Sequence, residues 1–381
     1  MFHFTEEQQA IREMVRDFAE KELKPRANEI DAEARFPAES IGMLAEMGIM
    51  GLNIPEEYGG AGLDEISKVL TISELARCCT STAGTVTVQM LANDIIRHNA
   101  NEAQKRKYLP MAARGLLGAF SLTEPNAGSD AASIRTRAVQ DGDSYVINGT
   151  KCFVSNSGPD EGNHFIVITV TDPEKGSHGG MTAFLLDRDT PGFHVGKTEN
   201  KMGQRAEQVS ELILEDCRVP ASSVMGAVGD GFRIAMSGLD GGRICVAAQA
   251  CGLARGALEE AIKYSKERVQ FGRPISANQG IQWYLAEMAT RLDAAWLLTL
   301  RAASMRQNRE AGLGRAAAMA KYYATEAAGF VCDLAVQIHG GYGYMKDYPV
   351  ERMYRDARIM RIYEGTNEVQ KTVIARSLLK D

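Results

Sequence analysis

The sequence has only two tryptophans, no Cys-x-x-Cys pair, no excess of basic residues and no apolar run long enough to span a bilayer. Each shortage excludes something. The net charge of −6 offers no basic field for a nucleic-acid backbone or an anionic membrane, so neither is expected as a partner. The seven cysteines, Cys78, Cys79, Cys152, Cys217, Cys245, Cys251 and Cys332, form an odd set without a His-rich neighbourhood. That argues against a disulfide framework and a zinc site, and predicts buried thiols in a reducing cytosol with no metal. The opening Met1–Gln8 enters a helical pattern at once, without a basic and then apolar leader. A cytoplasmic protein with no membrane span is therefore expected.

At 381 residues, with 45% hydrophobic and 24% charged residues, the chain predicts a soluble protein of two or three packed units. Thr5 is a candidate N-cap with Gln8 three residues on, and Ile11, Met14, Val15 and Phe18 keep the spacing of an amphipathic helix. Pro25 suits a break near its end, and helical patterns continue to about residue 117. The period then changes. Tyr145–Ile147, Phe165–Ile168, Ala183–Leu186 and Leu212–Leu214 read as strands, with Asn148-Gly149 as a hairpin turn. After Pro220 the helical period returns, over 229–268, 278–308, 314–338 and 351–377. Leu285, Met288, Leu292 and Ala295 keep a bundle-like stripe whose plain reading is core.

The expected fold class is α+β, with an N-terminal α-helical domain (1–117), a barrel-like antiparallel β-domain (118–226) and a C-terminal four-helix bundle (227–381). Strands do not alternate with long helices, and the Gly341-x-Gly343 pair follows a helical pattern. A parallel dinucleotide-binding sheet is thus not expected.

Four segments are unlike generic helix or loop: Phe120–Asp130 (FSLTEPNAGSD), Glu267–Gly272 (ERVQFG), Gln337–Gly343 (QIHGGYG) and Ile362–Glu368 (IYEGTNE). The first is rich in small turn formers whose backbone N–H groups and hydroxyls, Thr123 and Ser129 foremost, suit the polar edge of a bound ring and a phosphate. Arg268 offers a fork that matches phosphate oxygens, and Phe271 an apolar face. Standing alone, Arg268 reads as a solvated helix-end arginine and Glu364 as a surface acid before a helix that starts near Thr366. Together, and in this order on an α-β-α chain, the four segments resemble the acyl-CoA dehydrogenase family over essentially the whole length, closest to its short-chain and branched short-chain members.

The resemblance implies FAD, an acyl-CoA substrate, an electron-transferring flavoprotein as acceptor, and a homotetramer whose neighbouring subunit completes the FAD site. It assigns Phe120, Leu122, Thr123, Gly128 and Ser129 to the flavin and pyrophosphate, with Phe153, Val154 and Ser155 covering the ring. Many relatives carry Trp where this chain has Phe153. Arg268, Phe271, Gln279, Gln337, Gly340, Gly341, Thr366 and Glu368 complete the cofactor set. For substrate it assigns Ser129, Asp240, Arg243 and Gly365; Asp240 and Arg243 also suit a local i,i+3 ion pair.

The chemistry needs a carboxylate facing the flavin across the substrate. Relatives such as isovaleryl-CoA dehydrogenase place it where this chain has Gly242, so the resemblance points to Glu364 as the base, with burial raising its pKa. Asp94 is a departure, because a carboxylate beside the acyl tail is costly unless paired or functional. Either it pairs with Arg97 or His98 or turns to solvent, or it recognises a polar or cyclic acyl group, or it serves as a second base that yields a conjugated diene. An acyl-CoA oxidase and a non-catalytic flavin-binding interaction protein remain as alternative functions.

Overall fold

The computed structural model describes residues 3–158 and 163–380, so Met1 and Phe2 of the opening segment lie outside the described residues. Helix α1 (Glu6–Phe18) starts at the expected cap: Thr5 accepts from Gln8 N while the Gln8 side chain accepts from Thr5 N. It passes through a five-residue π-helical turn, Ala19–Leu23, before Pro25, and α2 (Ala27–Glu33) and α3 (Ala38–Glu46) come after it. Next come α4 (Glu65–Cys78), α5 (Thr80–Asn99) and α6 (Glu102–Ala113). Every residue of α4 from Ile66 to Cys78 is buried, polar ones included, because α1, α5 and the C-terminal helices enclose it on all sides. A helix buried all round must pair its charges inside the protein.

The middle of the chain forms an eight-stranded sheet. Its strands are β1 (Gly118–Ser121), β2 (Arg137–Asp141), β3 (Ser144–Ser155), β4 (His164–Val170), β5 (Met181–Asp187), β6 (Phe193–Thr198), β7 (Val209–Pro220) and β8 (Val224–Met225), and a short kinked turn α7 (Ser177–Gly180) precedes β5. The order is β6-β7-β3-β2-β4-β5-β8, with β1 beside β4. All four expected strand runs lie in this sheet, but it is mixed, not antiparallel: β1 and β2 both meet β4 in parallel. Local alternation encodes a strand and not its neighbour, and parallel pairing here joins segments distant in sequence.

Asn148-Gly149 is not a hairpin turn. It sits inside β3 at a register shift against β7, and Gly149 takes a φ of 152° with Thr136 packed where a Cβ would be, Oγ1 at 2.5 Å. Only glycine fits such a bulge. The β2–β3 hairpin instead turns at Gly142, two residues from where β3 begins.

The C-terminal domain opens with α8 (Gly231–Glu267), a 37-residue helix that packs on α4 and α5 as well as on α9 (Gln279–Gln307) and α10 (Leu313–His339). Met288, Leu292 and Ala295 of the expected stripe are buried, with Leu285 partly so. The helical stretch expected over 351–377 is divided into α11 (Pro349–Ile359) and α12 (Asn367–Leu378); α12 starts after Thr366, where a helix start was expected, and the loop between them carries Glu364. All seven cysteines are free and buried. Among the described residues no helix is long and apolar enough to cross a membrane.

Candidate active site

Glu364 stands in the α11–α12 loop with a φ of 56°, and Gly365 after it has a φ of 88°. A glutamate held in the left-handed region costs on the order of 1–3 kcal/mol, so the surroundings must impose it. Asn367 N donates to Arg361 O at 3.0 Å and closes the loop, and Thr366 caps α12 by accepting from Val369 N at 3.2 Å. Gln370 Nε2 donates to Glu364 O at 3.2 Å and to Gly365 O at 2.9 Å. The turn is over-determined from its backbone side.

Its side chain is not. Glu364 Oε2 is buried and accepts no hydrogen bond among the described residues. Removal from water outweighs the nearby Arg243 and Lys321 charges and pushes the carboxyl up to about 7. The bare face that receives it is Gly242 of α8, where a Cβ would lie 2.6 Å from Oε2. Gly242 therefore makes room for the carboxylate, and a glutamate at 242 would compete for the same space. An unpartnered carboxylate poised near neutral pH, in a niche cleared for it, can both take and return a proton.

Arg243, one residue on, is almost wholly buried and donates to Asp240 Oδ1 at 2.6 Å. The pair expected at the nucleotide of CoA thus forms an ion pair, with Arg243 charge acting on Glu364. Its Nε has no partner among the described residues.

Asp94 is a different case. It is buried in α5 and accepts from Asn53 Nδ2 at 2.7 Å, Lys68 Nζ at 2.8 Å and Arg306 Nη2 at 3.0 Å, with Arg97 at 3.0 Å. Burial alone would raise its pKa; Lys68, Arg306 and Arg97 together hold it well below the usual carboxylate range. The expected pairing with Arg97 is present, and His98 Nδ1 lies 2.7 Å from the Asp94 carbonyl. A carboxylate so fully engaged is a poor proton acceptor at neutral pH.

On the sheet side, a buried Lys151 on β3 donates to Leu122 O at 3.1 Å and to Glu124 Oε1 at 2.8 Å, while Glu124 accepts from Arg135 N and Thr136 N. Cys152 N donates to Thr123 O at 3.0 Å. These contacts bring the Phe120–Ser129 segment against Phe153–Ser155, two stretches well apart in sequence. Gly128 and Ser129 are exposed, Thr123 and Ser155 partly so. Phe153, at a φ of 56°, turns its ring outward and is 67% exposed, whereas Val154 buries its side chain in the sheet core and has only backbone to offer a ligand.

The remaining cofactor positions gather elsewhere. Arg268, Gly340 and Gly341 line a groove of about 580 Å³ with Tyr264, His339 and Tyr342. Arg268 stands 5.4 Å from the Tyr342 ring centroid, and Tyr264 stacks on His339 at 4.2 Å. Phe271 is fully exposed at a φ of 51°, and Gln279, Gln337 and Glu368 are exposed as well. Sequence reading passed over Tyr264; His339 and Tyr342 stood in the QIHGGYG segment, but Tyr342 was given no role of its own. Sequence reading also passed over Lys321, Asn367 and Gln370 behind Glu364. A lysine amid the alanines of Ala316–Ala324 was the available cue.

The fold and site define a class first: a helical domain, a mixed sheet and a helical bundle around an unpartnered carboxylate, an oxidoreductase that uses a flavin. Family models for the acyl-CoA dehydrogenase N-terminal, middle and C-terminal domains match residues 5–116, 119–217 and 229–379. The chain belongs to the acyl-CoA dehydrogenase family, whose members depend on FAD.

Among its relatives, the acryloyl-CoA reductase (NADH) of Anaerotignum propionicum is 49% identical over 100% of this chain and 96% of its own. The solved structure of butyryl-CoA dehydrogenase from Megasphaera elsdenii has a TM-score of 0.96 at 44% identity, with full coverage of both chains at 100%. A chain in the structure reported for the electron transferring flavoprotein of Acidaminococcus fermentans reaches 0.97 at 46% identity, again over 100% of each.

The residues present fit FAD. The groove supplies a cation, aromatic faces and a bare glycine shelf, and Gly340 and Gly341 would meet nothing within 4 Å even with a Cβ. The exposed Phe153 ring supplies a flat apolar face, and the small-residue loop before it leaves Gly128 and Ser129 exposed beside it.

Proposed function

We propose that this protein dehydrogenates a short, branched or alicyclic acyl-CoA to its 2-enoyl-CoA, with Glu364 as the α-proton base. The observation that carries this reading is the buried, unpartnered Oε2 of Glu364, held in a strained turn against bare Gly242. FAD, when bound, supplies the acceptor for the β-hydride at flavin N5. Thr123, Gly128, Ser129, Phe153 and Ser155 would hold the ring and its adjoining phosphate, with Phe120, Leu122 and Val154 shaping the seat. Arg268, Phe271, Gln279, Gln337, Gly340 and Gly341 would meet the rest of an FAD shared with a neighbouring subunit of a cytoplasmic homotetramer. Thr366 and Glu368 would approach the cofactor from the base's own loop, while Gly365 and Ser129 border the substrate.

Glu364 Oε2 then draws the proton next to the thioester carbonyl into a site from which substrate excludes water. The positive charges of Arg243 and Lys321 stabilise the carboxylate before the transfer. The electrons would leave to an electron-transferring flavoprotein, a reading supported by the likeness to a chain from the Acidaminococcus fermentans structure. Glu364→Gln keeps shape and loses basicity: FAD and acyl-CoA binding should persist while kcat falls by roughly 10²–10⁴-fold. Full turnover in that variant would refute the assignment.

A second reading concerns direction. A carboxyl near neutral pKa returns a proton as readily as it takes one, so the same site serves reduction of a short enoyl-CoA, the activity named for the Anaerotignum propionicum relative. Bleaching of the flavin by acyl-CoA under anaerobic conditions, against reoxidation of the reduced flavin by enoyl-CoA, compares the two directions. Peroxide release in air would instead mark an oxidase.

A further inference from the structure

Lys321 is fully buried in α10, and its bonds go to the backbone behind the base: Nζ donates to Gly365 O at 2.9 Å and to Asn367 Oδ1 at 3.1 Å. Asn367 is itself held by Thr325 Oγ1 at 3.0 Å and Glu326 Oε1 at 2.7 Å. We infer that Lys321 is a positioning residue for Glu364: it locks the left-handed Glu364–Gly365 turn through the Gly365 carbonyl and keeps a positive charge behind the carboxylate. This rests on the reading of Glu364 as the base.

Two features separate this role from plain packing. A neutral donor would satisfy the Gly365 carbonyl and Asn367 at far lower cost, since burying an ammonium is expensive. Gln370 already makes a neutral bond of that kind to the same carbonyl. What Lys321 adds is charge. The charged groups around Glu364 are Arg243 from α8 and Lys321 from α10; those around Lys321 are Glu364, Arg243, Glu368 and Glu326. Burial pulls the Lys321 ammonium down to about 8, with Glu364 opposing that pull.

Loss of the Lys321 charge disfavours the ionised carboxylate, so the acid limb of kcat/KM, where activity falls as Glu364 protonates, must move to higher pH. In FAD-loaded Lys321→Met the limb should rise by about one pH unit, with kcat at pH 7 down roughly fivefold and KM for acyl-CoA changed far less. Lys321→Arg should restore the limb. Lys321→Gln retains a donor without the charge and should shift the limb as Met does, which also covers failure of the Met variant to fold. Infrared titration of the carboxyl band that disappears in Glu364→Gln should move equally with no turnover. An unmoved limb and an unmoved infrared titration, with kcat lowered, would leave Lys321 a structural residue and overturn the inference. Full activity of Glu364→Gln would instead defeat the base assignment, and the infrared result would stand apart from it.

Discussion

Glu364 and Asp94 are both carboxylates taken out of water, and they arrive at opposite states. Asp94 has Asn53, Lys68, Arg97 and Arg306 around it and stays ionised. Glu364 has no partner on Oε2 among the described residues and rises to about 7. Burial alone does not decide what an acid does; the partners left to it do. Compensated burial makes a structural anion that ties α4 and α5 to α9, while uncompensated burial leaves a carboxyl able to exchange a proton near neutral pH.

The comparison breaks most directly at Asp94. Asp94→Asn leaves the Lys68 and Arg306 charges facing a neutral amide in the core, and should cost about 3–5 kcal/mol of stability, read as the shift of a denaturant midpoint. If the variant is as stable as the parent yet makes a different product, Asp94 belongs to the chemistry. Gly242→Ala comes next. Its methyl would meet the end of the flexible Glu364 side chain at 2.6 Å, so stability should hold within about 1 kcal/mol while the carboxylate is displaced and kcat falls roughly tenfold.

The smallest expected effect sharpens the same contrast through pH. Glu364 has a folded pKa raised from 4.5 to about 7, so its contribution is fully present below 4.5 and lost as pH rises through 7. Glu364→Gln should therefore be more stable than the parent at pH 8, by on the order of 1–3 kcal/mol, with the gain gone at pH 4. Asp94 has the reverse sign: its folded pKa lies below 3.8, so its contribution is present above that value and lost as pH falls further. Thermal melts at pH 8 and pH 4 check Glu364→Gln, while the deficit of Asp94→Asn should be the same at both values and shrink only at pH below 3.8.

Much of this was legible along the chain. The capping box at Thr5 and Gln8, the buried strand runs and the break before Thr366 come from local rules that need no partner. Glu364 was legible as the candidate base only through the family pattern, because an acid before a helix is ordinarily a surface residue. The Asn148-Gly149 pair misled for a physical reason: the dipeptide favours a tight turn, but Thr136, just before β2, claimed the space that only glycine leaves open. Asp94 was ambiguous because its partners come from Asn53, Lys68 and Arg306, as much as 212 residues away.

What the sequence by itself determined is the order of helical, strand and helical segments, the small-residue loops that can approach a cofactor, and the absence of a glutamate at 242. Tertiary structure decided the mixed pairing of the sheet, the cationic cage that neutralises Asp94, and the niche at Gly242 that leaves Glu364 Oε2 without a partner. The reason is one of range. Backbone preferences and periodicity act over a few residues, whereas a pKa depends on every charge and every lost water within several ångströms, whichever part of the chain supplies them.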